Sequence, residues 1–122
     1  MNWEQEAKLA CEMKRLEVKG FEGSFVFVKD VGGHVFPVLD EIVNEWIQEY
    51  HEFLEKLAAL EHDQWAHWTA YMLNNLTDEN INRWKRQIKT PYKELSEDEK
   101  EKDRVWARKV LGIMFEEREI LE

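Results

Sequence analysis

VLDEIVNEWIQEYHEFLEKLAALEHDQWAHWTAYMLNNL, residues 38–76, contains neither proline nor glycine, and the expected architecture follows from it. Leu39, Val43, Trp46, Tyr50, Phe53, Leu57 and Leu60 recur at intervals of three and four, the spacing of one helix face. A second row, Leu54, Ala58, Glu61, Trp65, Trp68, Met72 and Leu76, runs beside the first and is expected to take over towards the end. A single helix of this length would span roughly 55 Å at 1.5 Å per residue. That is long for a small domain, so a bend or break is expected near Ala59–His62.

On the N-terminal side, Trp3, Ala7, Ala10, Cys11, Leu16 and Val18 line one face of a predicted helix over 2–18, with Asn2 as N-cap and Gly20 as stop. Phe21 to Val28 and then Val35-Phe36 are β-prone runs around Gly32-Gly33, which predicts a hairpin whose second strand Pro37 confines to an edge. On the C-terminal side, Thr77 or Asp78 caps a helix with Ile81, Trp84 and Ile88 on its buried side, ended by Thr90-Pro91. Ser96 and Glu99 form the capping-box pattern that opens a last helix. Trp106, Val110, Ile113, Met114, Phe115, Ile120 and Leu121 make its apolar side, and Gly112 marks a place for a kink. The expected fold is mainly α, a single domain over 1–122: a small helical bundle with one short β-hairpin near the N-terminus.

The 122 residues hold 17 Lys plus Arg against 26 Asp plus Glu, a net charge of −9. Such a balance argues against a nucleic-acid or anionic-membrane partner. With 43% hydrophobic residues, a core can close without disulfide or metal. One cysteine, Cys11, cannot form an internal disulfide and suits a reducing, cytoplasmic setting. No membrane span or secretory leader is expected.

Enzymatic chemistry finds little support. His62 and His67 stand five apart, whereas two helical zinc ligands need a spacing of four. His51–Glu55 and Asp63–His67 have that spacing without a third ligand, and read as solvated ion pairs. Cys11 reads as a small buried hydrophobe, and Ser24 and Ser96 lack a nucleophile elbow. Charge is distributed less evenly. Arg83, Lys85, Arg86, Lys89 and Lys93 come without an acid between them, and Glu94, Glu97, Asp98, Glu99, Glu101 and Asp103 follow. Either the two segments neutralise each other across the turn, or the first is a cationic pocket for a small anion, with Arg83 beside the Trp84 ring. Trp65, Trp68 and Tyr71 read as core or as the wall of that pocket. Glu61 and His62 interrupt the apolar row and need partners if buried; Arg83 or Arg104 is available to Glu61.

Glu61-His62-x-x-Trp65, then Arg83, then Thr90-Pro91-Tyr92-x-x-Leu95-x-x-x-x-Lys100-x-x-Asp103-Arg104 resembles the RyR-type repeat, a family named for ryanodine receptors that also occurs in small bacterial and phage proteins. The likeness covers about residues 57–110, and Pro91 to Arg104 is its specific part. The Gly-Trp that follows the first helix of that repeat is absent after Leu76. The resemblance implies a small, non-catalytic helical module without a cofactor, which binds a small anionic or nucleotide-like ligand or a partner peptide. Trp65, Trp84 and Tyr92 would then supply ring surfaces, and Arg83, Lys89 and Arg104 would hold negative charge. His62, Asp103 and Glu61 would orient those cations, with Lys100 in support. Such a site requires the tryptophan-bearing stretch before Asn74 and the cationic stretch around Lys85 to face each other across an open notch. The alternative is an interaction protein with no ligand, homodimerising along the Leu39–Leu60 stripe as a helical seam.

Overall fold

The computed structural model describes residues 1–121, with side chains described through Glu116. Ile120 and Leu121, expected on the apolar side of the last helix, therefore have side chains outside the described residues. The described chain is mainly α, with α1 (Trp3–Met13), α2 (Asp40–Leu73), α3 (Asp78–Lys89) and α4 (Glu97–Leu121). A three-stranded antiparallel sheet of β1 (Glu17–Glu22), β2 (Phe25–Lys29) and β3 (Val35–Leu39), in that order, lies near the N-terminus. Two compact units divide the chain, Met1–Glu55 and Lys56–Glu122. None of the described helices is long and apolar enough to cross a membrane.

In the first unit, α1 stops five residues earlier than expected. Arg15 takes the left-handed conformation at φ 61°, so Gly20 is not the stop. The Arg15 N–H donates to Glu12 O and the Leu16 N–H to Cys11 O, both at 2.9 Å. This is the paired closure of a helix C-terminus, and it frees the chain to extend into β1 from Glu17. The run expected as one strand is two, because Gly23 (φ 59°) turns the chain between Glu22 and Phe25. The hairpin is thus a three-stranded meander. Bonds from Asp30 N–H to His34 O and from Asp40 N–H to Ser24 O bracket the β2–β3 pair. Alternation between them places Phe27↔Pro37 at a non-hydrogen-bonded position. Proline therefore sits on an edge strand without costing a ladder bond.

Val26 and Val28 turn inward from the sheet onto Ala7, Ala10 and Cys11 of α1 and Val43 and Ile47 of α2. All but Ile47 (8% exposed) are essentially sealed from solvent. Trp3 Nε1 donates to Asn44 Oδ1 at 2.7 Å, and Lys14 Nζ lies 2.6 Å from Glu49 Oε2. His51 pairs with Glu6 at 3.3 Å rather than with Glu55. Burial of the Cys11 thiol, reinforced by Glu12, raises its pKa to about 11.

Helix α2 starts at Asp40, because Val38 and Leu39 belong to β3, and no break interrupts it near Ala59–His62. The second unit holds the C-terminal part of α2 with α3 and α4. None of its described residues is fully buried. The second apolar row of α2 does not take over. Leu54, Ala58, Glu61, Trp65 and Met72 are exposed, while Leu57, Leu60, Gln64 and Trp68 are half-buried. Leu57 and Leu60 of the first row lead, at intervals of four, through a glutamine that hydropathy alone would pass over to Trp68, the one member of the second row that is half-buried. Helix α4 runs on through Gly112 without interruption.

Candidate functional site

Helix α3 opens where the Thr77 hydroxyl accepts the Asn80 N–H at 3.2 Å. Asn80 Nδ2 donates to Asn75 O at 2.9 Å, and at the far end Gln87 Nε2 donates to Glu99. These polar bonds set the rotation of the helix. Asn80, Ile81, Arg83, Trp84 and Gln87 are half-buried, and Asn82, Lys85, Arg86 and Lys89 are exposed. Ile88, expected on the buried side, is instead 83% exposed; Gln87 takes the inner place because its amide finds a carboxylate there.

The tryptophan-bearing part of α2 and the cationic α3 do come together, at Tyr71 and Trp84, whose ring centroids are 6.3 Å apart at 70°. Tyr71 also meets Trp68 edge-on, Trp68 meets His67, and His67 lies 5.7 Å from Trp106. His67 thus packs among rings instead of pairing with Asp63. Trp65 takes no part in this chain. Six residues separate it from Tyr71, about 240° of helix rotation, so it points elsewhere, 64% exposed and stacked on His62. Among the described residues, no ring contact, hydrogen bond or ion pair joins His62 or Trp65 to Arg83, Trp84, Lys89 or Tyr92. Of Trp65, Trp68 and Tyr71, expected together as core or as the wall of the pocket, Tyr71 is the one that meets α3, and Trp65, the expected ligand-binding ring among them, does not. Helical phase counted back from the Asn75–Asn80 connection could have found that.

Glu61 and His62 are exposed, so neither requires the buried partner foreseen for it, and Arg104 is engaged elsewhere. Arg104 Nη1 lies 3.1 Å from Glu97 and 3.5 Å from Glu101. Glu97 and then the Tyr92 hydroxyl raise its pKa further. Lys100 Nζ stands 5.8 Å over the Tyr92 ring and 3.5 Å from Glu97. Arg104, followed by Lys100, holds the Glu97 carboxyl below its usual range. Tyr92, Lys100 and Arg104 are therefore brought together, as a lock on the turn between α3 and α4. Asp103 is exposed and has no hydrogen bond or ion pair among the described residues.

The acids of α4 do not neutralise α3. Among the described residues Arg86 is the one cation of α3 that pairs with an acid of α4, Glu99 at 3.2 Å. Glu99, bonded by Gln87, Ser96 and Arg86, is held down to about 2. Glu97 and Glu101 are taken by cations of their own helix, Lys100, Arg104 and Arg108. Arg83, Lys85, Lys89 and Lys93 consequently have no carboxylate partner among the described residues. Nor is any group of three or more His, Cys, Asp or Glu among those residues placed to hold a metal ion.

The stripe expected to form a dimer seam is partly committed within the chain, since Val43, Trp46 and Tyr50 pack in or against the core of the first unit. No family model, curated protein or solved structure matches the chain.

Proposed function

We propose that the chain is a non-catalytic binding module whose second unit, RyR-like over residues 57–110, holds an anionic partner along α3. Arg83, Lys85, Lys89 and Lys93 supply the charge and Trp84 the adjoining ring, while Tyr92, Lys100 and Arg104 stiffen the turn that ends the helix. One observation carries the reading: among the described residues four cations, Arg83, Lys85, Lys89 and Lys93, have no carboxylate partner, in a chain of net charge −9 in which Glu97 and Glu101 are taken by cations of α4 itself. An acidic protein that keeps a local run of lysines unpaired retains a target for negative charge that its overall field would repel.

The test is a thermal-shift and tryptophan-fluorescence panel of pyrophosphate, mono- and cyclic nucleotides, and oligoglutamate. A ligand present at 100-fold over its Kd adds about 2.7 kcal/mol of stability. The shift should shrink in Arg83→Ala/Lys89→Ala and fade as salt rises. If none of these anions moves the midpoint, or if the double variant responds as the parent does, the proposal is wrong.

A further inference from the structure

We infer that α3 docks an acidic amphipathic segment of a partner protein, with one bulky apolar side chain of that segment seated on Ile88 and its carboxylates on Lys85 and Lys89. This rests on the anion-binding reading above and specifies which anion. Ile81, Trp84 and Ile88 recur at three and four residues and form one stripe of α3. The chain covers only the beginning of it. Ile81 and Trp84 are half-buried, and Tyr71 lies against Trp84. Ile88, at the other end, is 83% exposed. Lys85 lies one turn before Ile88 on the same surface and Lys89 follows it directly. Neither has an ion-pair partner among the described residues.

The charge complement of this surface is a run of carboxylates, and its apolar centre calls for a side chain that a phosphate compound does not bring. A nucleotide or an inorganic anion would satisfy the lysines and leave Ile88 in water. An acidic helix or strand carrying one leucine-sized side chain satisfies both, and covering Ile88 removes apolar area from solvent that folding leaves exposed. A single helix face buries little area, so the complex is a transient one.

Fluorescence anisotropy on the full chain tests this with two labelled 12-residue peptides of equal charge. Both are glutamate-rich, one with a central leucine and the other with serine in its place. The leucine peptide is expected to bind about tenfold more tightly to the parent protein. That advantage should vanish in Ile88→Ser while the serine peptide binds the variant unchanged, which also certifies that the variant is folded. Lys85→Glu/Lys89→Glu should release both peptides. Equal affinity of the two peptides for the parent, or an advantage that survives Ile88→Ser, overturns the inference and leaves the anion reading standing. So does binding of pyrophosphate or ATP without either peptide. Failure of every anion and both peptides overturns both.

Discussion

Two isoleucine- or valine-bearing helix positions look alike by periodicity and differ completely in burial. Val43 is fully buried, whereas Ile88 is 83% exposed. Truncating each to alanine measures that difference. Val43→Ala deletes two carbons from a sealed site. At about 0.8 kcal/mol per buried CH₂ this loses ~1.6 kcal/mol of transfer energy. The cavity left among Ala7, Cys11, Val26 and Val28 raises the total to about 2–3 kcal/mol. Ile88→Ala removes three carbons of which roughly a sixth of the surface is buried, a loss of about 0.4 kcal/mol. Alanine's better helix propensity returns a similar amount, so the net is near zero. Urea titration followed by far-UV circular dichroism reads both; for a chain of this size ~2 kcal/mol also lowers Tm by about 6–10 °C. A loss above about 1.5 kcal/mol for Ile88→Ala would mean that its side chain is packed in the folded protein, and the exposed end of the α3 stripe would not exist. A loss below about 0.5 kcal/mol for Val43→Ala would refute the placement of the core.

The Cys11 thiol, buried with its pKa raised to about 11, should resist a thiol reagent at pH 8 in the native protein and react within seconds in 6 M guanidinium; quick labelling of the folded chain would contradict its placement. Glu99 is held down to about 2, against 4.5 for an unperturbed glutamate. Its stabilising effect is therefore complete above about pH 4.5 and is lost as pH falls through 2. Glu99→Gln should flatten the acid limb of the urea-midpoint profile across that window, and parallel profiles for variant and parent would show that these contacts do not form in solution. Arg15 occupies a left-handed position that costs an L-residue roughly 1 kcal/mol. Arg15→Gly should raise stability by a few tenths to 1 kcal/mol after the added flexibility of the unfolded chain is offset; a loss of stability would argue against the closure of α1 seen here.

Residue order alone was enough for the class and most of the elements. The mainly α fold with a small sheet after the first helix, the apolar period of α2, the Asn2 and Ser96 starts and the edge placement of Pro37 are local matters, set by dihedral preference, capping chemistry and side-chain spacing; that α2 runs unbroken past Ala59–His62, where a bend or break was expected, is not. The burial of Cys11 was also legible, since it stands in the apolar row of α1. Local rules could not supply the rotation of a helix about its own axis. Hydropathy leaves that rotation uncertain by tens of degrees in helices with two apolar rows, and polar bonds then decide it. Asn80 to Asn75 and Gln87 to Glu99 turned α3 so that Trp84 meets Tyr71 and Ile88 faces water. The helical closure at Arg15, a residue that rarely takes a left-handed backbone, was hidden for a similar reason: its benefit lies in the strand that it releases onto α1. The packing of α3 against α4 fixed the ion pair between them, Arg86 to Glu99, which no local spacing sets. Glu97 and Glu101 meet cations of their own helix, because neighbours three and seven residues away lie one and two turns along the same surface; among the described residues Lys85 and Lys89 of α3 have no ion-pair partner.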